Sequence, residues 1–256
     1  MGSQKKYYAV IRGCRPGIYT TWYGAGGAEE QVRGYAGALY KGFATAEEAR
    51  RWLGSPEAST GKNAGSVKAA AVPVTPPARP LVKPQGTPLV TAGSIIVYTD
   101  GGCAGNPGPG GYGAVIIEGK NRKELAQGFC RTTNNRMELM GCIAALETLV
   151  APADVILHSD SRYVVNGISK GWARKWRANG WMRTKTEAAE NVDLWVKLLE
   201  LCDLHKVRFV WVHGHAGNRE NERCDSLATG ATQGPNMKED HAYIRGRTRI
   251  PEYLRG

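Results

Sequence analysis

The chain lacks the features of a membrane protein or of a disulfide-stabilised secreted protein. No stretch approaches the roughly 20 apolar residues that a transmembrane helix needs. The N-terminal sequence has neither the hydrophobic run of a signal peptide nor the Arg/Ser-rich helix of a transit peptide. None of the six cysteines forms a C-x-x-C pair, so a structural zinc site is not expected. We therefore expect a cytoplasmic protein with reduced cysteines and no membrane partner.

Acidic residues are in deficit. Lys and Arg number 34 against 23 Asp and Glu, which gives a formal net charge of +11 and a pI near 9.5. An excess of this size favours a polyanionic partner such as nucleic acid, although a soluble protein that is merely basic is the alternative. The hydrophobic content of 42% is enough for a sizeable core.

The 256 residues divide at a segment without apolar periodicity. Residues 54–93 contain seven prolines, a composition typical of a flexible, partly extended linker. The predicted organisation is a small domain over 1–53, this linker, a larger domain over 94–232 and a basic tail over 233–256. The tail either adds nonspecific affinity for nucleic acid or is disordered, and the sequence leaves both alternatives open.

The small domain shows the pattern of an α+β unit. Tyr7–Arg12 and Gly17–Trp22 are predicted strands joined by a Pro-Gly turn. Ala46–Leu53 is a predicted helix, because Thr45 is a good N-cap and Glu48 lies at the capping-box spacing.

The larger domain is predicted to be an α/β sheet with helices on its faces, since three hairpin-like strands precede alternating helices and strands. The predicted strands are Ser94–Asp100, Tyr112–Glu118, Lys123–Arg131, Val155–His158 and Val207–His213. The predicted helices cover about 135–150, Arg162–Ile168, Val192–Leu204 and a final stretch around Cys224–Ala231.

Two acids stand near the carboxyl ends of predicted buried strands, where active sites of open α/β sheets gather. Asp100 could instead be a turn residue and Asp160 a helix cap. Glu138 has a structural alternative too, as part of a capping box begun by Asn135. Asp225 lies at the edge of an apolar stripe, where a solvent-facing acid is the default. Taken singly, none of these residues identifies a site.

Together the acids fall in four ordered blocks: YTDGGCAGNPGPGGYGAV, TTNNRMEL, LHSDSRYVVNGI and VHGHAGNRENERCDSLA. Each block resembles a signature block of the type 1 (bacterial-like) ribonuclease H family, and the resemblance covers about residues 94–232. It implies the ribonuclease H fold, a five-stranded mixed sheet flanked by helices. It also implies an endoribonuclease that hydrolyses the RNA strand of RNA–DNA hybrids, leaving 5′-phosphate and 3′-hydroxyl ends.

The resemblance makes Asp100, Glu138, Asp160 and Asp225 the ligands of two Mg²⁺ ions, with Mn²⁺ as an alternative. Two such ions can activate a water and stabilise the leaving oxygen, and oxygen ligands suit them. By the same resemblance, His215 is a proton shuttle or an aid to product release, a role that suits an imidazole.

Polar residues near two of these blocks are implied to read the substrate. Asn106, Asn134 and Asn135 would lie in the minor groove of the hybrid, where the ribose 2′-hydroxyl distinguishes RNA from DNA. Thr133 would bind a phosphate of the DNA strand.

A basic segment between Ile168 and Glu187 contains six cations, no acid and three tryptophans. A solvated charge run would not need the tryptophans, whereas a helix with packed indoles and outward cations would. The segment resembles the basic handle of bacterial-type enzymes, which is expected to hold DNA phosphates. The residues assigned to this contact are Trp172, Lys175, Trp176 and Trp181.

The small domain contains YYAVIRGCRPGIYTTW and QVRGYAGALYKGFATAEEARRWL, which resemble the hybrid-binding domain of many type 1 ribonucleases H. That resemblance places Trp22 and Tyr40 on the sugars of the DNA strand and Lys41 on a phosphate. The family's basic pair is here Lys41-Gly42, and Trp22 could instead be a core residue. Double-stranded RNA is the alternative ligand of this domain.

Two other functions compete with the nuclease. A non-catalytic binder of hybrids or double-stranded RNA would be expected to have lost an acid or the histidine, and none is lost here. A transposase or integrase domain would have a differently spaced acid triad. We expect the protein to be a monomer.

Overall fold

The structure, a computed structural model, describes residues 6–24, 26–33, 35, 37–55, 93–150, 152–234 and 236–246. Nearly all of the predicted linker and the last ten residues of the tail lie outside these ranges. The chain divides into two compact units, and the boundary between them lies at residues 92 and 93. No helix of the described residues is both long and apolar enough to span a membrane.

The N-terminal unit is a three-stranded antiparallel sheet of order β2-β1-β3 with two helices. Its elements are β1 (Tyr7–Arg12), β2 (Gly17–Tyr19), α1 (Ala28–Val32), β3 (Leu39–Phe43) and α2 (Ala46–Leu53). The predicted capping box of α2 is confirmed, because the Thr45 hydroxyl accepts from the Glu48 amide and the Glu48 carboxylate accepts from the Thr45 amide. The second strand ends three residues earlier than predicted, and α1 and β3 were not predicted.

The larger unit is a five-stranded mixed sheet of order β6-β5-β4-β7-β8, which confirms the predicted fold class. Its strands are β4 (Ile95–Cys103), β5 (Gly108–Glu118), β6 (Asn121–Thr132), β7 (Asp154–Ser159) and β8 (Lys206–Trp211). The first three are antiparallel, and β7 and β8 continue the sheet in parallel with β4. The helices are α3 (Asn134–Glu147), α4 (Arg162–Ser169), α5 (Trp172–Ala178), α6 (Val192–Leu204), α7 (Arg219–Ala231) and α8 (His241–Ile244).

Neighbouring residues of β5 face helices on opposite sides of the sheet, because successive side chains of a strand point to opposite faces. Ala114 lies in the main core cluster with Leu139 of α3. Gly113 faces α7, where a β-carbon would lie only 2.2 Å from the carbonyl oxygen of Cys224. The sheet is thus covered on both faces, and the missing side chain lets α7 pack closely.

Candidate active site

The parallel register of the two central strands brings Asp100 and Asp160 together. β4 pairs with β7 as far as Thr99 and Ser159, and each acid is the next residue along its chain. The two acids therefore lie next to each other just past the last β4–β7 pair, while β4 itself continues to Cys103 in its pairing with β5. Ligand oxygens of Asp100, Asp160 and Glu138 all lie within 4.8 Å of one another.

Glu138 reaches this position from α3. The N-cap of α3 is Thr133, so Glu138 lies in the second turn and the alternative of a capping box begun at Asn135 is wrong. Gly101 permits the approach of the strand to the helix, because a β-carbon there would lie 2.4 Å from the Glu138 amide nitrogen. Direct contact between the backbones of β4 and α3 at Gly101 therefore sets the position of the Glu138 carboxylate.

Asp160 is not the cap of the following helix either. The hydroxyl of Ser161 accepts from the Val164 amide at 3.4 Å and caps α4. The Asp160 carboxylate instead faces Gly214, where a β-carbon would lie 2.5 Å from its Oδ2. The Trp211 indole N–H donates to the Asp160 carbonyl at 3.1 Å. Sequence reasoning missed the roles of Gly214 and Trp211, which depend on the packing of β8 beside β7.

Asp225 and His215 lie beside the group of three acids. His215 Nδ1 is 3.9 Å from Asp225 Oδ2, and the His215 side chain is 79% exposed on the loop before α7. The Asp225 charge contributes to raising the pKa of Asp100, so the fourth acid is electrostatically coupled to the site. The structure therefore groups three of the predicted ligands tightly and places the fourth next to them.

The electrostatics of the site favour a cation. Burial above all, and then repulsion from Asp160, raises the pKa of Asp100 to about 7. Burial and the charges of Asp100 and Asp160 raise the pKa of Glu138 well above its ordinary value. Glu138 Oε2 is buried without a hydrogen-bond partner among the described residues. Because an unpaired buried carboxylate is unfavourable, these acids fit a hard divalent cation such as Mg²⁺ or Mn²⁺.

The metal-free protein is expected to lose stability as the pH rises from about 4 to about 7. Asp100 and Glu138 have folded-state pKa values above their ordinary ones, so the folded state binds more protons than the unfolded state in this window. For Asp100 alone the loss is on the order of 3 to 4 kcal/mol, since one pKa unit is worth about 1.4 kcal/mol. Denaturant unfolding in EDTA at pH 4 and pH 8 measures this. Equal or greater stability at pH 8 would contradict it.

The predicted substrate-reading residues meet at the start of α3. The Asn106 side-chain oxygen accepts from the Asn134 amide at 3.2 Å, across a sequence separation of 28 residues. Thr133 and Asn135 flank this contact and are half-buried. The structure thus brings all four residues to the helix turn that precedes Glu138.

The three tryptophans of the basic segment have different environments. Trp181 is only 3% exposed and belongs to the core, so the prediction that its ring contacts nucleic acid is wrong for this conformation. Trp176 is half-buried against Trp195, with ring centroids 5.9 Å apart. Trp172 is 39% exposed, and the Lys170 Nζ lies 5.2 Å from its ring centroid. Of these three tryptophans, Trp172 is therefore the most exposed.

The cations of this segment are partly neutralised. Arg174 and Arg177 both bind Asp203 of α6, at 2.7 and 3.0 Å. Arg183 binds Glu187 at 2.7 Å. Lys175 is exposed on α5. The segment therefore carries less unpaired positive charge than its sequence suggests, because Asp203 of α6 neutralises two of its arginines.

The N-terminal unit contains a cluster of aromatic side chains. Trp22 packs between Tyr8 and Tyr40, with centroid distances of 5.1 and 5.0 Å. Trp22 and Tyr40 are half-buried, so both pack against the small core and remain partly accessible. Lys41 is exposed next to them, with its Nζ 5.7 Å from the Phe43 ring centroid.

Comparison with known proteins agrees with this architecture. The RNase H family model matches residues 92–233, and the model of the ribonuclease H1 N-terminal domain matches residues 6–53. Ribonuclease H of Desulforamulus reducens is 61% identical over 146 residues, which cover 57% of this chain and 92% of that protein. Ribonuclease HI of Synechocystis sp. is 57% identical over 152 residues, which cover 59% of this chain and 95% of that protein.

Among solved structures, LC9-RNase H1, described as a type 1 RNase H with the type 2 active-site motif, is similar with a TM-score of 0.51. It is 28% identical, with coverage of 63% of this chain and 87% of that chain. The fold and the acidic cluster define a ribonuclease H type of enzyme. The chain belongs to the ribonuclease H family, and its N-terminal unit matches the N-terminal domain of ribonucleases H1.

Proposed function

We propose that this protein hydrolyses the RNA strand of RNA–DNA hybrids. Water attacks the phosphorus and the bond to the 3′-oxygen breaks, so that the products have 5′-phosphate and 3′-hydroxyl ends. The observation that supports this proposal is the group of three carboxylates within 4.8 Å, one with a buried and unpartnered oxygen, in a member of this family.

Asp100, Glu138, Asp160 and Asp225 would hold two Mg²⁺ ions. When bound, two such ions supply an activated water and stabilise charge on the leaving oxygen. The raised pKa values of Asp100 and Glu138 mean that these carboxyls give up protons as they become ligands. His215 lies on an exposed loop beside Asp225, from which it would exchange a proton with the leaving group or with solvent.

The amides of Asn106, Asn134 and Asn135 would contact ribose 2′-hydroxyls in the minor groove, directly beside the acids. Thr133 would bind a DNA phosphate. Trp172 and Lys175, which are exposed, would contact the DNA strand together with the half-buried Trp176. Binding through these cations should weaken with salt.

The test is cleavage of end-labelled RNA in a hybrid, with Mg²⁺, Mn²⁺ or EDTA, beside the Asp160→Asn variant. Metal-dependent cutting that spares the DNA strand and is lost in the variant supports the proposal. Tight binding without cutting under any metal would make this chain a non-catalytic binder with the fold of an enzyme.

We further propose that the N-terminal unit binds the same hybrid through Trp22, Tyr40 and Lys41. A tethered second site raises the local substrate concentration. Deletion of residues 1–60 is therefore expected to weaken binding of long hybrids by at least about tenfold and to reduce successive cuts per encounter. Binding by filter retention and processivity by single-hit cleavage measure these effects, with a short hybrid as control. Unchanged affinity and processivity would refute the proposal. If double-stranded RNA competed for the N-terminal unit better than the hybrid does, double-stranded RNA would be its ligand.

A further inference from the structure

The C-terminal segment 236–246 lies beyond the region that the family model matches, yet it packs on the rest of the larger unit. Lys238 lies beside the edge strand β6 and pairs with it in an isolated parallel bridge opposite Phe129. Its amide donates to the Gly128 carbonyl and its carbonyl accepts from the Cys130 amide, both at 2.8 Å. The described part of the predicted basic tail therefore occupies a defined place along the sheet.

Two residues further on, Asp240 enters the protein interior. Its carboxylate is 2% exposed and accepts from Arg136 Nε at 2.6 Å and from Arg136 Nη2 at 2.9 Å. The Thr132 hydroxyl donates to the same carboxylate at 2.7 Å. A bidentate pair of this kind fixes direction as well as charge.

Arg136 is itself fully buried, which is rare for arginine and requires a complete set of acceptors. Asp193 of α6 accepts at 2.9 Å from Nη1 and 2.8 Å from Nη2, and Asn191 Oδ1 accepts from Nη1 at 3.5 Å. The guanidinium thus joins α3 to α6 on one side and to the C-terminal segment on the other.

The position of Arg136 gives this network a functional consequence. It lies in the first turn of α3, between Asn134 and Asn135 on one side and Glu138 on the other. The Thr133 side chain makes no capping hydrogen bond within the described part of the chain, and the first turn has no acid. The start of the helix is therefore held by long-range contacts of Arg136, together with the one from Asn106.

We propose that segment 236–246 is a positioning element of the active site, with Asp240 as its positioning residue. Through Arg136 and Thr132 it fixes the turn that presents Asn134 and Asn135 to the substrate and Glu138 to the metal site. This inference rests on the proposed function and assigns part of its machinery to a segment outside the matched family region.

The test compares Asp240→Asn with Glu239→Gln in the full-length protein. Glu239 is the neighbouring acid and pairs with His241 at 3.3 Å, so its substitution makes the same charge change one residue away from Asp240. At a temperature where circular dichroism shows every variant folded, Asp240→Asn should lower kcat by about tenfold to a hundredfold and raise KM several-fold. Glu239→Gln should resemble the wild type.

Asp193→Asn is the second comparison, because it removes an acid from the same guanidinium but leaves the C-terminal segment attached. Its effect on kcat and KM should be smaller than that of Asp240→Asn. Hydrogen exchange should increase in residues 133–140 of the Asp240→Asn protein and stay unchanged in β7. If kcat, KM and exchange in that turn stay at wild-type values while only thermal stability falls, Asp240 is merely structural.

Hybrid binding in EDTA separates this inference from the proposed function. Asp240→Asn, placed in an Asp160→Asn background, should bind the hybrid about fivefold to tenfold more weakly than Asp160→Asn alone. That comparison stands even if the wild-type protein cuts no substrate. Equal affinities would overturn the positioning of Asn134 and Asn135.

Discussion

The Glu138→Gln variant should cleave hybrids at least about a thousandfold more slowly than the wild type, because the substitution removes the most deeply buried of the acids that meet at the site. The same variant should be more stable than the wild type in EDTA at pH 8. A neutral amide does not bear the desolvation and repulsion that raise the pKa of Glu138. Activity and metal-free stability are therefore expected to change in opposite directions.

Glu147→Gln is the matched control, since Glu147 lies at the end of the same helix, is exposed and pairs with Lys197. Single-turnover cleavage and urea unfolding in EDTA give the two readouts. A Glu138→Gln protein that is both inactive and less stable than the wild type would indicate a structural role for the carboxylate.

Gly101→Ala should have the second-largest effect. The added β-carbon would lie 2.4 Å from both the Glu138 amide nitrogen and the Met137 carbonyl carbon, so α3 must move away from β4. Overpacking of this kind costs about 1 to 3 kcal/mol. A displacement of about 1 Å at a catalytic group lowers activity by about a hundredfold.

The neighbouring Gly102→Ala variant is the control for stability. The nearest atom to its β-carbon would be Asn134 Oδ1, at 4.0 Å, so the substitution meets no backbone. The melting temperatures of both variants and their rates of hybrid cleavage are compared with those of the wild type. Equal stability and activity of Gly101→Ala and the wild type would show that the approach of strand and helix is not needed.

Much of the fold could be predicted because its signals are local. The capping box at Thr45 lies within four residues, and the apolar runs that became β4 and β7 end next to Asp100 and Asp160. The short helix Ala28–Val32 has too few residues to show a period, and it was missed for that reason.

The contacts that shape the site were harder to predict because they join distant residues. Asp240 is 104 residues from Arg136 in sequence, and no local pattern connects them. Asp203 neutralises two arginines from 26 and 29 residues away. Trp181 looked like part of a basic surface, and only the packing of the larger unit shows that its ring is buried.

The pairing of Lys238 with β6 also bears on self-association. β6 is the outer strand of the sheet, and outer strands with unpaired backbone groups are templates for adding a strand from another chain. The C-terminal segment covers the end of β6 near Cys130, while Arg122 and Lys123 place charge at the opposite end. Removing the segment would uncover the Gly128 carbonyl and the Cys130 amide, and the shortened protein should become prone to aggregate through this edge.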